Sequence, residues 1–290
     1  MKEYFVWLAK IVTVFVLVIM FFGAISASQL SKDLTPKTGA RVGVVRLEGM
    51  IMDVSDILSQ LDEFVEDKSI KAIVIRIDSP GGAVGPSQEI YSAVNRAKSI
   101  KPVVSSMGAV AASGGLYAAM SSSKVFAQPG TLTGSIGVIM QIPNFSELSS
   151  KVGVSVVTLK SGDLKDAGNS FRPMTESEAQ YLTDTAKKVH EQFIRDIAKG
   201  RSLDISKVRS FADGRVLTGE EAKNLGLLDE FGDMYEAARA ALEILEIKEK
   251  PVLVEKHKPF QELREILQSS KTLINSLTPQ FNSTLLLVSQ

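Results

Sequence analysis

The sequence predicts an α/β domain built on a largely parallel sheet, and three observations predict it. Short β-branched runs alternate with segments whose apolar residues recur every three or four positions, the order produced when each strand is followed by a crossover helix. The run KAIVIRID, residues 71–78, holds consecutive apolar residues, as a strand covered on both faces requires. Glycine and proline gather at the ends of these runs, where the chain must turn.

In chain order, residues 4–25 read as a transmembrane anchor. The stretch 11–25 carries no charge, and Lys10 lies near one end, where its stem can reach the headgroups. A cleaved leader ending at AISAS is the competing reading. Lys2 and Lys10 precede the apolar core and Lys32 and Lys37 follow it, so flanking charge does not orient the segment. Residues 26–40, polar and holding Pro36 and Gly39, read as a linker.

One domain is expected over 41–249. RVGVVRL, 41–47, is a strand. Val54, Ile57, Leu58, Leu61 and Val65 fall at helical spacing over 53–67, with Asp53 as N-cap. The strand 71–78 follows, then a helix over 86–98 with Pro86 at its start. KPVVSSM is a further strand, and GGLYAAM begins an apolar helix. Two short β runs flank the Pro-Gly turn at 129–130, and VSVVTL, 154–159, reads as another strand. Thr175 and Glu178 form a capping box for a long helix closing at Gly200; Thr218 and Gly226 bracket a short one, and 233–246 is helical. PVLVE is strand-like. Residues 250–290 form a C-terminal arm, either docked on a partner or frayed.

Composition excludes several classes. Lys+Arg and Asp+Glu both number 33, so no net charge favours nucleic acid. The absence of cysteine rules out disulfides, thiolate catalysis and cysteine-ligated zinc. Only His190 and His257 could serve a Ser-His arrangement; the first sits among Lys187, Lys188 and Glu191, the second between two lysines, both as surface residues would.

Two glycine turns could carry chemistry. Asp78-Ser79-Pro80-Gly81-Gly82 ends a strand and precedes a helix, leaving bare amides that suit a developing oxyanion; an ordinary strand-to-helix turn reads the same way. Ser113 comes one helix and one strand later, at the same sheet edge, at the start of an apolar helix. An N-cap serine is the plain alternative, but Ala111, Ala112, Gly114 and Gly115 leave room for a substrate backbone. The context lacks the G-x-S-x-G elbow. Ser121-x-x-Lys124 matches a penicillin-binding pattern, yet the only K-T-G lies upstream, in the wrong order.

RIDSPGG, AASGG, GTLTGSIGV and KSGDLKDAG…RPMTESE, in that order, resemble the signal peptide peptidase A family of Ser-Lys proteases in its short form, over about residues 41–245. The resemblance implies a Clp/crotonase-like fold behind an N-terminal transmembrane helix. It puts the nucleophile at Ser113 and the general base at Lys165, with Lys160 as competitor, and gives Ser135 the task of orienting the base. Oxyanion donors fall on the amides of Gly82 and Gly114, Gly81 being adjacent to the first. A lysine acting as base must be held neutral in an apolar setting, so Lys165 is expected buried and Asp166 turned away from it. No metal, nucleotide or other cofactor is implied. The implied partners are signal-peptide remnants cut after small or apolar residues, membrane lipid around the anchor, and further copies of the chain in a ring or dome. The implied location is the cell membrane, single-pass, with the catalytic domain extracytoplasmic. A crotonase-type CoA hydrolase or isomerase explains the glycine turns but not the lysine motif. A Clp-like or other membrane-protein quality-control protease shares the two glycine turns, and a non-enzymatic tethered scaffold predicts a serine inert to acylating probes.

Overall fold

The computed structural model describes residues 38–256, together with Thr13, Leu17 and Met20. The expected anchor apart from those three residues, nearly all of the expected linker and the arm beyond residue 256 therefore lie outside the described residues. Among the described residues no helix is long and apolar enough to cross a membrane.

The strands are β1 (Ala40–Ile51), β2 (Ile70–Gly82), β3 (Val103–Ala111), β4 (Lys124–Ala127), β5 (Leu132–Gly134), β6 (Val216–Thr218), β7 (Glu230–Phe231) and β8 (Pro251–Glu255). The helices are α1 (Ser55–Glu66), α2 (Val84–Lys98), α3 (Gly114–Ala119), α4 (Ser146–Lys151), α5 (Glu176–Arg201), α6 (Ile205–Phe211), α7 (Gly219–Leu225) and α8 (Met234–Glu243). The sheet runs β6-β5-β3-β2-β1-β8, with β4 pairing β3 and β7. Every pairing is parallel except β5 with β6.

Covering both faces explains why β2 is apolar without alternation. Ile73, Ile75 and Ile77 join the larger core with residues of α1, α2, α3 and α5. Ala72 and Val74 join Val44, Val104 and the alanines of α8 on the opposite side. Each of these isoleucines is fully buried, which stabilises the fold by about 2 kcal/mol apiece.

Several expectations need correction. Asp53 is not the N-cap of α1; that place falls to Val54, and the Asp53 carboxylate accepts from the Ser55 amide at 2.9 Å in a turn just before the helix. Helix α2 begins at Val84, before Pro86. Helix α5 continues through Gly200 and is capped by Ser202 in the left-handed conformation. Gly200 serves close approach instead: a Cβ there would lie 2.0 Å from the Met120 carbonyl oxygen. Residues 154–159 form no strand, because no described strand lies alongside to pair with them. Helices α4 and α6 and strands β6 and β7 were not foreseen. The capping boxes at Thr175/Glu178 and Thr218/Glu221, and the left-handed Gly226, match the sequence signals.

Candidate active site

The carboxyl ends of β2 and β3 bring the two glycine turns together. The Ala112 amide donates to the Ser79 carbonyl at 3.0 Å. Ser79 is fully buried and organises its own turn: its hydroxyl donates to the Gly49 carbonyl at 2.6 Å and accepts from the Gly81 amide at 3.1 Å. The Gly81 amide is thus engaged, while that of Gly82 is not held by this hydroxyl. Gly81 has φ +101°, and a Cβ on it would stand 2.7 Å from the Gly114 nitrogen, so only glycine lets the turns approach this closely.

Ser113 occupies the junction of β3 and α3 with φ 51° and ψ −117°, and its side chain makes no cap to the helix. A non-glycine residue with this backbone is strained, and such strain collects at functional sites. Surrounding bonds enforce it. The Ser113 amide donates to the Gly134 carbonyl at 2.9 Å, and its carbonyl accepts from the Tyr117 amide at 2.9 Å. Gly114, at the first position of α3, is buried, and a Cβ there would meet Ser87 Oγ at 2.3 Å.

Beside Ser113 lies a cavity of about 30 Å³. Gly82, Val84, Ser87, Gly114 and Tyr117 line it, together with Gly137 and Val138 from the segment after β5 and Val189 and Phe193 from α5. The sequence motifs contain neither Tyr117 nor the α5 pair. Their apolar helical spacing looks the same as ordinary core packing, so only the fold marks them.

Ser135 follows Gly134 directly, has φ 51°, and its amide donates to the Arg215 carbonyl at 2.7 Å. It therefore sits one residue from the carbonyl that holds the Ser113 amide.

The expectation of a buried Lys165 amine is not met within one chain. Lys165 is exposed, on a turn closed by its own amide donating to the Gly162 carbonyl at 3.1 Å. No hydrogen bond among the described residues joins it to Ser113 or Ser135, and it does not line the cavity. The physical reason is that residues 152–165 are exposed throughout and pack against little of their own chain.

Asp166 does turn away from Lys165. Its carboxylate takes Lys160 Nζ at 2.7 Å and Arg172 Nε at 3.0 Å, and these contacts, Lys160 first, hold it below the usual carboxylate range. Lys160 is further occupied by the Asp163 carbonyl at 2.8 Å, which argues against it as a base. Arg172 continues to Glu178 with two hydrogen bonds, one from Nη1 at 2.8 Å. That contact, followed by the Thr175 amide, lowers the nearly buried Glu178 carboxyl to about 2. The turn bearing Lys165 is tied in this way to the first turn of α5.

Other candidates fall away. Lys124 pairs with Glu230 at 3.3 Å, and Ser121 is buried with its hydroxyl on the Ala118 carbonyl. His190 is half-buried rather than solvated, its Nε2 enclosed without a hydrogen-bond partner, and it does not line the cavity. His257 lies outside the described residues.

Comparison with known proteins points to one family. The family model for peptidase family S49 matches residues 95–248, and that for Clp protease matches residues 43–133. A Synechocystis sp. protein named as a protease is 43% identical over 177 residues, 61% of this chain and 64% of its own. An Enterococcus faecium protein named as the signal peptide peptidase SppA is 38% identical over 60% of this chain and 51% of its own. The chloroplastic serine protease SPPA of Arabidopsis thaliana is 33% identical over 78% of this chain and 34% of its own. The matched stretches thus span between a third and two thirds of these relatives' length.

Proposed function

The chain belongs to peptidase family S49, and from that premise we propose that it is a serine endopeptidase using Ser113 as nucleophile and Lys165 as general base. The observation that carries the reading is the forced backbone of Ser113 at the edge of the sheet, beside a small apolar cavity and between two glycine turns. Neutral Lys165 takes the Ser113 proton as the oxygen attacks a peptide carbonyl, and the resulting ammonium protonates the leaving nitrogen. The amides of Gly82 and Gly114 receive the oxyanion. Ser135 holds the lysine amine in line. The Asp166 carboxylate is engaged by Lys160 and Arg172 rather than by Lys165, which supports this role.

Because Lys165 is exposed within one chain, the base reaches Ser113 across an interface between copies of the chain, and that contact supplies the dry setting the amine needs. Ile139, Val157 and Leu159 are 82%, 82% and 93% exposed on the same segment, which supports such an interface. Residues 4–25 anchor the protein in the cell membrane as a single span, with the catalytic domain extracytoplasmic. Its substrates are then signal-peptide remnants left beside the bilayer.

A fluorophosphonate probe, with the labelled residue mapped by mass spectrometry, tests the core of this reading. Labelling at Ser113 is expected, lost in Ser113→Ala. Peptide cleavage should vanish in Ser113→Ala and in Lys165→Ala with the fold retained; turnover in either variant overturns the assignment. Protease protection of the domain in sealed vesicles reads its orientation.

A further inference from the structure

We infer that Tyr117, pinned by Asp196, sets the depth of the cavity beside Ser113 and restricts the residue on the acyl side of the scissile bond to a small aliphatic side chain. The inference rests on the peptidase reading above and adds a specificity-determining residue to it.

Four observations carry it. Tyr117 stands one helical turn beyond Ser113, joined to it by a backbone hydrogen bond of 2.9 Å, so its position is fixed relative to the attacking oxygen. The ring is buried, and it lines the cavity together with Val189 and Phe193. It cannot swing aside, because Tyr91 packs edge-on at 5.3 Å and Phe193 lies against it at 4.6 Å between centroids. The phenol is bound at its far end. Its hydroxyl donates to Asp196 Oδ2 and accepts from Gln88 Nε2 at 3.4 Å, while Tyr91 donates to the Asp196 carbonyl at 3.2 Å. Burial, reinforced by the Asp196 carboxylate, raises the Tyr117 phenol above its ordinary value, which keeps it a donor.

Size then decides what enters. A cavity of about 30 Å³ is small; measured in the same way, about 10–15 Å³ already holds one water. A side chain as small as alanine's fits, and a phenylalanine side chain fits only if the ring of Tyr117 leaves.

The test measures kcat/KM on peptides that differ only in having alanine or phenylalanine on the acyl side of the cleaved bond, using the full chain in detergent or vesicles. The wild type is expected to favour alanine. Tyr117→Leu should move the phenylalanine-to-alanine ratio by at least about tenfold, the scale on which apolar pockets discriminate size. Asp196→Ala, which frees the phenol, should move the ratio in the same direction, by about threefold. Asp196→Asn, whose amide oxygen still accepts, should leave it within about twofold. Damage to the fold alone would lower both substrates together and leave the ratio alone. Fluorophosphonate labelling, which needs no side chain in the cavity, monitors Ser113 independently. A labelled, active enzyme whose ratio is unmoved in Tyr117→Leu overturns this inference; if Tyr117→Leu does not fold, an unmoved ratio in Asp196→Ala does so. A wild type that neither labels nor cleaves overturns the peptidase reading itself.

Discussion

Ser113 holds a backbone that L-residues avoid, and the protein tolerates the cost because the Gly134 and Tyr117 hydrogen bonds and the buried glycine turns over-determine it. Backbone strain of this kind costs about 1–3 kcal/mol. Glycine adopts the same angles without strain but loses about 0.5–1 kcal/mol through unfolded-state freedom. Ser113→Gly is therefore expected to stabilise the fold by about 1 kcal/mol while abolishing cleavage, and Ser113→Ala to abolish cleavage without that gain. Urea unfolding midpoints read the difference; equal midpoints for the two variants would mean that the junction stores no strain. Gly82 makes the opposite case. A Cβ on it would lie 2.2 Å from the Ile51 carbonyl oxygen, a backbone atom that cannot rotate away. Gly82→Ala should lower stability by about 1–3 kcal/mol, visible in the same midpoints.

At the scale of elements, α5 connects the parts of the site. Its first turn grips the Lys165 turn through Arg172, its middle supplies Val189 and Phe193, and its last turn touches the chain just after α3 at Met120. The grip depends on charge. Glu178 is lowered to about 2 from an ordinary 4.5, so between those values the unfolded chain binds more protons than the folded one. Its contribution is present in full above pH 4.5 and is lost as pH falls through about 2. Glu178→Gln keeps the capping box but not the ion pair; its stability should fall less steeply between pH 5 and pH 3 than the wild type's, and parallel curves would show that the pair carries no linkage. This capping box was legible in the sequence because both partners lie within four residues of each other. So were β1, β2, β3 and α8, whose patterns need only a core to face. The reading of 154–159 as a strand failed for a different reason: Val154, Val156 and Val157 favour a strand locally, but no described strand lies alongside to pair with them. Ser113 and the glycine turns could be singled out from local spacing. Tyr117, Val189 and Phe193 could not, since a cavity wall and a core have the same periodicity until the helices are placed.

For the molecule as a whole, two facts stand side by side: a strained, well-housed Ser113 and an exposed Lys165. The segment from Ile139 to Leu159 exposes more apolar side chain than a solitary domain usually leaves in water. The proposed second copy, covering that segment, would satisfy both facts, burying the apolar residues and carrying Lys165 to a neighbour's Ser113. On the proposed reading, a head-to-tail contact of this kind would repeat around a closed ring, each site taking its serine from one copy and its lysine from the next. Complementation then follows. Ser113→Ala and Lys165→Ala are each inactive alone, but in a mixed assembly a Lys165→Ala chain still offers its serine and a Ser113→Ala chain its lysine. Random equal mixing places the right chain on each side of an interface with odds of one half times one half, so about a quarter of wild-type activity should return. The measurement is peptide cleavage after the two purified variants are dissociated, mixed and reassembled, with the unmixed variants as blanks. Return of activity toward that level fixes the pair between chains. No return, from variants that still assemble, would mean that the two residues meet within one chain, and the exposed segment bearing Lys165 would then have to fold back over its own sheet edge before the site could cut a peptide.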